Sequence, residues 1–349
     1  AGRTADGGWL VGQIFAACVA QAVHKAGHVA GGRGIVHRAA EDEGVTPAPP
    51  QEIPVNFSTS IAEVTRGIPV EGKQFGSGAQ IGIFGTETLS GTATSGWMDN
   101  VCLTWTTGGI WNYTTPRYFM GGYKYSFKAY APYMETGAPD LTDLEAVSYS
   151  VTQNITDQVD FMYANQVDLD FAATAPTADN AKVQFAFKHA LAQVKFSALT
   201  AKAYSGYTLK IKKISMADIS SVGTLKCSAA TWSAQGTPLP YEETLADLAL
   251  STTKQELKEA NNHVLMLIPQ DPAGKKMTLT FDIIADTANG GDASKNATDE
   301  TVEVSIPAGV WDASHVYDYK ITLNLDATLG VKAGISNPTI TEWGTPEEI

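Results

Sequence analysis

The chain has 349 residues, a formal net charge of −13 at pH 7, and a charged fraction of only 17%. This length is enough for two domains that each bury a core, and the low charged fraction is typical of β-rich extracellular proteins. The acidic balance, without a Lys/Arg cluster, argues against a nucleic-acid partner, and no apolar run reaches the roughly 18 residues of a membrane span.

Residues 1–51 differ in composition from the rest of the chain. Gly, Ala and His are frequent from Ala1 to Arg38, and Glu41–Pro50 is acidic and rich in proline. We interpret this region as a leader and linker. Its Phe15–Cys18 stretch resembles the lipobox of bacterial lipoproteins, which makes Cys18 a candidate lipidation site, although the preceding apolar stretch is short for an export signal.

Apolar residues alternate with polar ones from Ile53 almost to the C-terminus, which predicts β-strands with one buried face. The pattern is clear in Ile53–Phe57, Tyr123–Ala129, Met277–Ile283, Val302–Ile306 and Tyr317–Leu325. The residues predicted to face a core are Ile53, Val55, Phe57, Ile81, Ile83, Tyr125, Phe127 and Leu279.

Helical patterns are sparse and short. We predict one helix over Asp140–Val147 and one or two over Tyr241–Asn261, where leucines recur at near-helical spacing. A chain with many strands and few helices must pack sheet against sheet, so the predicted class is all-β, with sandwiches or barrels. The polar stretch Ala173–Asn180 predicts a boundary near Ala181, which gives domains of residues 52–181 and 182–349.

The chemical motifs of common enzymes are absent or incomplete. Gly67–Gln74 nearly matches a phosphate-binding loop, but Gln74 stands where a Ser or Thr must contact magnesium. Asp168 and Asp170 share one face of a strand and are interpreted as solvated, and the acidic stretch Asp286–Glu300 does not have calcium-loop spacing. We therefore predict no catalytic centre, no cofactor and no metal site.

The cysteines leave two possibilities open. Cys102 and Cys227 are widely separated and lack metal-ligand spacing. One disulfide between them and two separate buried thiols are both compatible with the sequence.

Several segments together resemble the Bacteroidales fimbrillin family of fimbrial subunits. Their order and spacing carry the resemblance, which spans about Ile53–Trp343. The segments are Ile53–Phe57, Glu63–Gly67, Gln80–Gly85, Asp160–Ala164, Phe185–Phe196, Val264–Gln270, Trp311–Leu325 and Ile335–Trp343.

The resemblance implies two transthyretin-like β-sandwich domains in tandem, export as a lipoprotein precursor, and a place in a cell-surface fimbria on the outer membrane. It also implies proteolytic processing after an arginine and polymerisation by a donor strand. Arg66 and Gly67 are the matching position for a trypsin-like, Arg-specific protease. Without the family resemblance, Arg66 would be interpreted as an ordinary surface arginine.

Cleavage after Arg66 would release the strand that carries Ile53, Val55 and Phe57 and leave an apolar groove with unpaired backbone groups. The candidate donor is the C-terminal segment that carries Ile335, Ile340 and Trp343. A subunit that lends this segment to its neighbour makes a contact that does not close on itself, and such contacts build filaments. The segment could instead pair within its own domain, as in an accept-only tip adhesin.

The alternative function is a monomeric surface lipoprotein that binds glycans or host ligands. Exposed tryptophans would favour it, since an indole can stack on a ligand, although buried tryptophans are the default in sandwiches. The candidates are Trp97, Trp105, Trp111, Trp232 and Trp311. A hydrolase would need a pocket with two converging carboxylates.

Overall fold

The computed structural model describes residues 52–61, 75–106, 110–135, 144–258 and 264–343. Over these residues the protein consists of strands, loops and a few three-residue 3-10 turns, which confirms the all-β prediction. In the same ranges no helix has the length and apolar character needed to cross a membrane.

The first half of the chain forms one seven-stranded sheet in the order β2-β10-β9-β7-β3-β4-β5, and a separate pair, β1 with β6. In the seven-stranded sheet, β2 pairs with β10 in parallel, and the remaining neighbours are antiparallel. β8 is the exception, because it joins a sheet of the second half. The strands are β1 (Ile53–Pro54), β2 (Phe57–Ile61), β3 (Gln80–Leu89), β4 (Thr92–Thr106), β5 (Ile110–Asn112), β6 (Tyr118–Phe119), β7 (Tyr123–Ala131), β8 (Val147–Ser150), β9 (Met162–Asp170) and β10 (Val183–His189).

The second half forms two sheets. One has the order β14-β11-β18-β19, with β15 on β11 and β20 on β18, and the other has the order β13-β12-β16-β17, with β8 on β12. Only β11 and β18 pair in parallel among these strands. The strands are β11 (Ala192–Thr200), β12 (Tyr207–Lys226), β13 (Thr231–Ala249), β14 (Gln255–Leu257), β15 (Leu265–Leu267), β16 (Lys276–Ala285), β17 (Ala297–Ser305), β18 (His315–Leu325), β19 (Val331–Ile335) and β20 (Thr339–Glu342).

The N-terminal sheet curls around its own core. Its two terminal strands meet where Nε1 of Trp111 on β5 donates a hydrogen bond of 3.1 Å to Oγ1 of Thr59 on β2. Seven of the eight predicted core residues fill this interior, and Leu279 lies in the core of the second half, so all eight predictions are confirmed.

The C-terminal core lies between the two sheets of the second half. Alternate residues of β12 and β16, such as Ile214 and Phe281, share one buried cluster with Phe196 on β11 and Ile321 on β18. The period-2 alternation of these strands thus has a direct structural cause, since each sheet buries one face against the other.

A third apolar cluster joins the two halves. Tyr130 and Tyr163 share this cluster with Leu225, near the end of β12, and Cys227, just after it. The hydroxyl of Tyr130 donates a hydrogen bond of 2.7 Å to Oδ1 of Asn100, and burial raises the pKa of Tyr130 to about 12. Buried apolar contacts of this kind hold sheets together across a junction.

The two cysteines do not pair with each other. Cys102 is disulfide-bonded, whereas Cys227 is a buried thiol of the junction cluster. Neither possibility that the sequence left open is therefore correct, since the two cysteines do not pair with each other and Cys102 is not a thiol.

The predicted helices were wrong where the structure describes them. Tyr241–Ala249 belongs to β13, where Tyr241, Glu243 and Leu245 are buried in alternation, and β14 covers Gln255–Leu257. Of Asp140–Val147, the described part is a bend that leads into β8. Long pairing with β12 overrode the local helix preference of these Glu- and Leu-rich residues.

The sheet to which successive strands belong changes after β10. β10 follows the predicted boundary near Ala181 but belongs to the seven-stranded sheet, and β11 is the first strand of the second half. The sheets therefore change between His189 and Ala192.

We predict that Gly82→Ala destabilises the fold. Gly82 on β3 lies opposite Tyr130 on β7, and a Cβ atom at Gly82 would overlap the buried Tyr130 ring. We expect a loss of roughly 1–3 kcal/mol in the free energy of unfolding, because a packed ring has no room to move. Chemical denaturation measures it.

Gly236→Ala is the matched control, since Gly236 also lies in a strand but has open space around its missing side chain. Equal effects of the two substitutions would contradict the packing argument.

Candidate functional site

The β1–β2 segment lies at the edge of the N-terminal sheet. Within the described residues, β2 has one backbone partner, β10, in a parallel register that runs from Phe57 opposite Val183 to Ile61 opposite Phe187. β1 pairs only over Ile53–Pro54, with β6. An edge segment held by so few ladder bonds is the kind of element that can leave a sheet as a unit.

Side-chain burial makes up for the short ladders. Ile53, Val55 and Phe57, the residues predicted for a displaced strand, are all buried in the N-terminal core. The Phe57 ring lies 6.0 Å from the parallel ring of Phe185 and 5.7 Å from the perpendicular ring of Phe127. If this segment left, its apolar neighbours would be exposed to water.

Backbone hydrogen bonds fix the chain between β1 and β2. The N–H of Val55 donates to the carbonyl of Arg117 at 2.8 Å, and the hydroxyl of Tyr113 donates to the carbonyl of Val55 at 2.9 Å. An incoming strand would have to provide the same donor and acceptor. The predicted processing residues Arg66 and Gly67 and the candidate lipidation residue Cys18 lie outside the described residues.

The C-terminal segment forms an edge of the sheet that contains β11 and β18. After the turn at Asp326–Gly330, β19 and β20 run back along β18, and Ser336–Pro338 interrupts the ladder between them. Ile335 lies opposite Ile321, and Ile340 lies opposite Tyr317. The segment predicted as a donor strand therefore pairs within its own chain here.

Exposure differs sharply along this segment. All four residues of β20 are exposed, and the Ile340 side chain is 56% exposed. Trp343 is only 2% exposed, and its ring lies parallel to the His189 ring, at 3° and 4.2 Å between centroids. Trp343 is therefore the buried anchor of an otherwise exposed strand.

His189 is itself held by a buried carboxylate. Its Nδ1 lies 3.0 Å from Oδ1 and 2.9 Å from Oδ2 of Asp160, and both side chains are almost completely buried. Nothing in the sequence marks Asp160 or Trp343 as a partner of His189. Sequence separation hides such a contact, because neither residue lies within a shared motif.

The remaining acidic candidates have structural partners. Asp168 accepts hydrogen bonds from Gln166, and Asp170 forms an ion pair with Lys124, which lowers the pKa of its carboxyl group. In the 286–300 loop, Asp286 and Asp292 cap 3-10 turns. Among the described residues, no group of three or more His, Cys, Asp or Glu side chains is placed to hold a metal ion.

A cleft of about 1110 Å³ opens beside β1 and β6. The residues that line it include Ile53, Trp97, Arg117, Tyr118 and Met120. Tyr118 and Met120 are 42% and 47% exposed. Part of one wall thus belongs to the same segment as the predicted displaced strand.

The tryptophans do not form an exposed cluster in the described part of the chain. Trp97, Trp105 and Trp111 lie in the N-terminal core, and Trp311 lies in the C-terminal core. Trp232 is half-buried, and its Nε1 donates to the carbonyl of Ala190 at 2.8 Å. Trp105, Trp111 and Trp311 therefore pack the fold, whereas Trp97 also lines the cleft beside β1 and β6.

Comparison with known proteins gives one family and a set of similar folds. The fimbrillin-like family matches residues 65–343. A protein assigned to cell adhesion from Bacteroides ovatus has 18% identity and a TM-score of 0.55, and the alignment covers 85% of this chain and 100% of that one. A fimbrial protein from Bacteroides vulgatus has 18% identity and a TM-score of 0.52, with coverage of 82% and 99%. None of the curated protein sequences matches this chain.

We predict that Phe57→Ala weakens the hold on the β1–β2 segment. Truncating a buried phenylalanine leaves a cavity, and we expect a loss of roughly 3–5 kcal/mol in the free energy of unfolding. Asn56→Ala, an exposed neighbour in the same segment, is the matched control and should change stability little. Denaturant titration compares the two, and a small effect of Phe57→Ala would mean that the segment is not anchored by its core contacts.

Proposed function

The chain belongs to the fimbrillin-like family, and from this membership we propose that it is a structural subunit of a cell-surface fimbria that serves adhesion. The observation that carries the proposal is that one chain contains two edge segments of different kinds. One edge, β1–β2, fills an apolar groove, and the other, β19–β20, is an exposed strand at the C-terminus.

In the proposed mechanism a trypsin-like, Arg-specific protease cuts between Arg66 and Gly67. The cut severs β1–β2 from the rest of the sheet in sequence, so the segment can leave its groove. The family match begins at residue 65, which puts β1–β2 outside the part that matches.

The groove favours a replacement strand once it is empty. Burying three side chains such as Ile53, Val55 and Phe57 is worth roughly 5–8 kcal/mol. An incoming strand also pairs the edge of β10, whose backbone groups face β2 in the intact chain. Exchange is therefore slow and effectively irreversible.

The C-terminal segment of a neighbouring subunit is the proposed replacement. Ile335, Ile340 and Trp343 supply apolar side chains, and β20 gives up little burial within its own subunit because its four residues are exposed. Acceptor groove and donor segment lie in different sheets, so each subunit can accept from one neighbour and donate to another. A repeated contact of this kind builds a filament.

Before the cut, the filled groove keeps the subunit monomeric during export. The proposal includes an N-terminal acceptor domain, a C-terminal donor domain, and export of the subunit as a precursor. The finished subunit lies on the cell surface or outer membrane, with other fimbrial subunits as partners, and acts without catalysis. Since Glu52 and Ile53 line the cleft beside β1, processing would also remodel that cleft.

Arg66→Ala should give a folded precursor that is not processed and does not assemble, because β1–β2 stays covalently attached in its groove. Arg66→Lys keeps the charge and should be cut poorly by an Arg-specific protease. Mass spectrometry of the mature N-terminus and electron microscopy of the cell surface provide the readouts. Fibres formed by the Arg66→Ala protein would show that cleavage there is not the trigger.

A disulfide between Val316→Cys and Thr341→Cys should block donation. These residues lie directly opposite each other on β18 and β20, a placement that suits a cross-strand disulfide. The oxidised, processed subunit should accept a strand but offer none, so chains end at it, and reductant should restore polymerisation. Normal polymer growth by the oxidised protein would exclude the C-terminal strand as the donor.

A further inference from the structure

The C-terminal strand needs something to hold it in its own subunit. β20 pairs with β18 only over His315–Asp318, and none of its own four side chains is buried. Four exposed ladder positions at a sheet edge open easily. The hold on β20 therefore depends on the residue that follows it, Trp343.

Trp343 is fixed by two kinds of contact at the junction between the halves. Its indole lies flat on the imidazole of His189, the last residue of β10, and the backbone N–H of Trp343 donates to the carbonyl of Ser314 at 2.7 Å. Ser314 in turn donates from Oγ to the carbonyl of His189 at 2.7 Å and from N–H to the carbonyl of Leu191 at 3.0 Å. Trp343 thus docks on a seat made from the β10–β11 connection and the loop before β18.

The seat is rigid because Asp160 orients the imidazole. With both carboxylate oxygens near Nδ1, the His189 ring has one favoured plane, and this plane matches that of Trp343. Stacked rings with matched planes lose little freedom on contact. Asp160 therefore acts on Trp343 through His189, as a positioning residue.

The contact of Trp343 with this seat can also be reversed. Among the described residues, neither Nε2 of His189 nor Nε1 of Trp343 has a hydrogen-bond partner, although both atoms are buried. Withdrawal of Trp343 would let water reach these polar groups, and that hydration offsets part of the lost stacking. A contact of this type holds the strand without making it permanent.

We propose that the stack of Trp343 on His189 is the latch that retains the C-terminal strand in its own subunit. Its use in strand exchange rests on the function proposed above, whereas the latch itself is a property of the single chain. β10 also carries β2 on its edge, so the strand that borders the displaced segment ends at the latch.

Hydrogen–deuterium exchange of the uncleaved full chain tests the latch. Trp343→Ala should raise the exchange rate of β20 at least about tenfold while β16, in the C-terminal core, is unchanged. Trp343→Phe, which keeps a ring, should raise the rate less. Ile340→Ala is the control, since it alters an exposed side chain of the same strand.

The His189→Gln variant tests whether the aromatic stack, and not only the burial of Trp343, slows exchange in β20. Glutamine can still donate to Asp160 but has no aromatic ring, so it should raise β20 exchange as much as Trp343→Ala does. The double variant should exchange no faster than either single variant, because both remove one shared contact. Unchanged β20 exchange in Trp343→Ala, or the same exchange in Ile340→Ala, would overturn the latch.

A second readout distinguishes failure of the latch from failure of the proposed function. His189→Gln leaves the donor sequence intact, so the processed variant should assemble faster than the processed wild type. If β20 opens in this variant without faster assembly, the latch stands and the C-terminal strand is not the donor. If β20 stays closed, the latch is wrong whatever the assembly rate.

Discussion

Backbone pairing at the sheet edges is the constraint on which the rest of this fold depends. A strand with one free edge exposes N–H and C=O groups that bind any available chain, so each edge has to be covered or managed. The N-terminal sheet covers one edge with β2 and curls until β5 approaches β2. The C-terminal system covers β18 with the chain's own last strands.

β10 lies next to both of these covered edges. It lies between β2 and β9 in the N-terminal sheet, and it ends at His189, against which Trp343 packs. The same strand thus borders the proposed acceptor groove and the seat of the proposed donor. β10 therefore contacts both proposed sites.

The halves are joined by burial more than by charge. The junction cluster is dominated by buried aromatic and aliphatic side chains, and β8 crosses into a sheet of the second half. The ion pairs that Glu145 forms with Lys128 and Lys226, both at 3.7 Å, contribute little by comparison, because solvent screens these partly exposed groups. A junction held by apolar contacts does not depend on balanced charges, which is compatible with a net charge of −13.

The sequence by itself determined the β class and the faces of the strands, because side chains alternate with period two whatever the strand's partner. It therefore predicted the burial of Ile53, Val55, Phe57 and Leu279, and the family resemblance followed from the order of such segments. It could not determine pairing between distant strands. The Tyr241–Asn261 region looked helical until its long partner β12 was known, and the stack of Trp343 on His189 joins residues with no local signal. Only the tertiary structure decided these contacts, since long-range burial outweighs local preference.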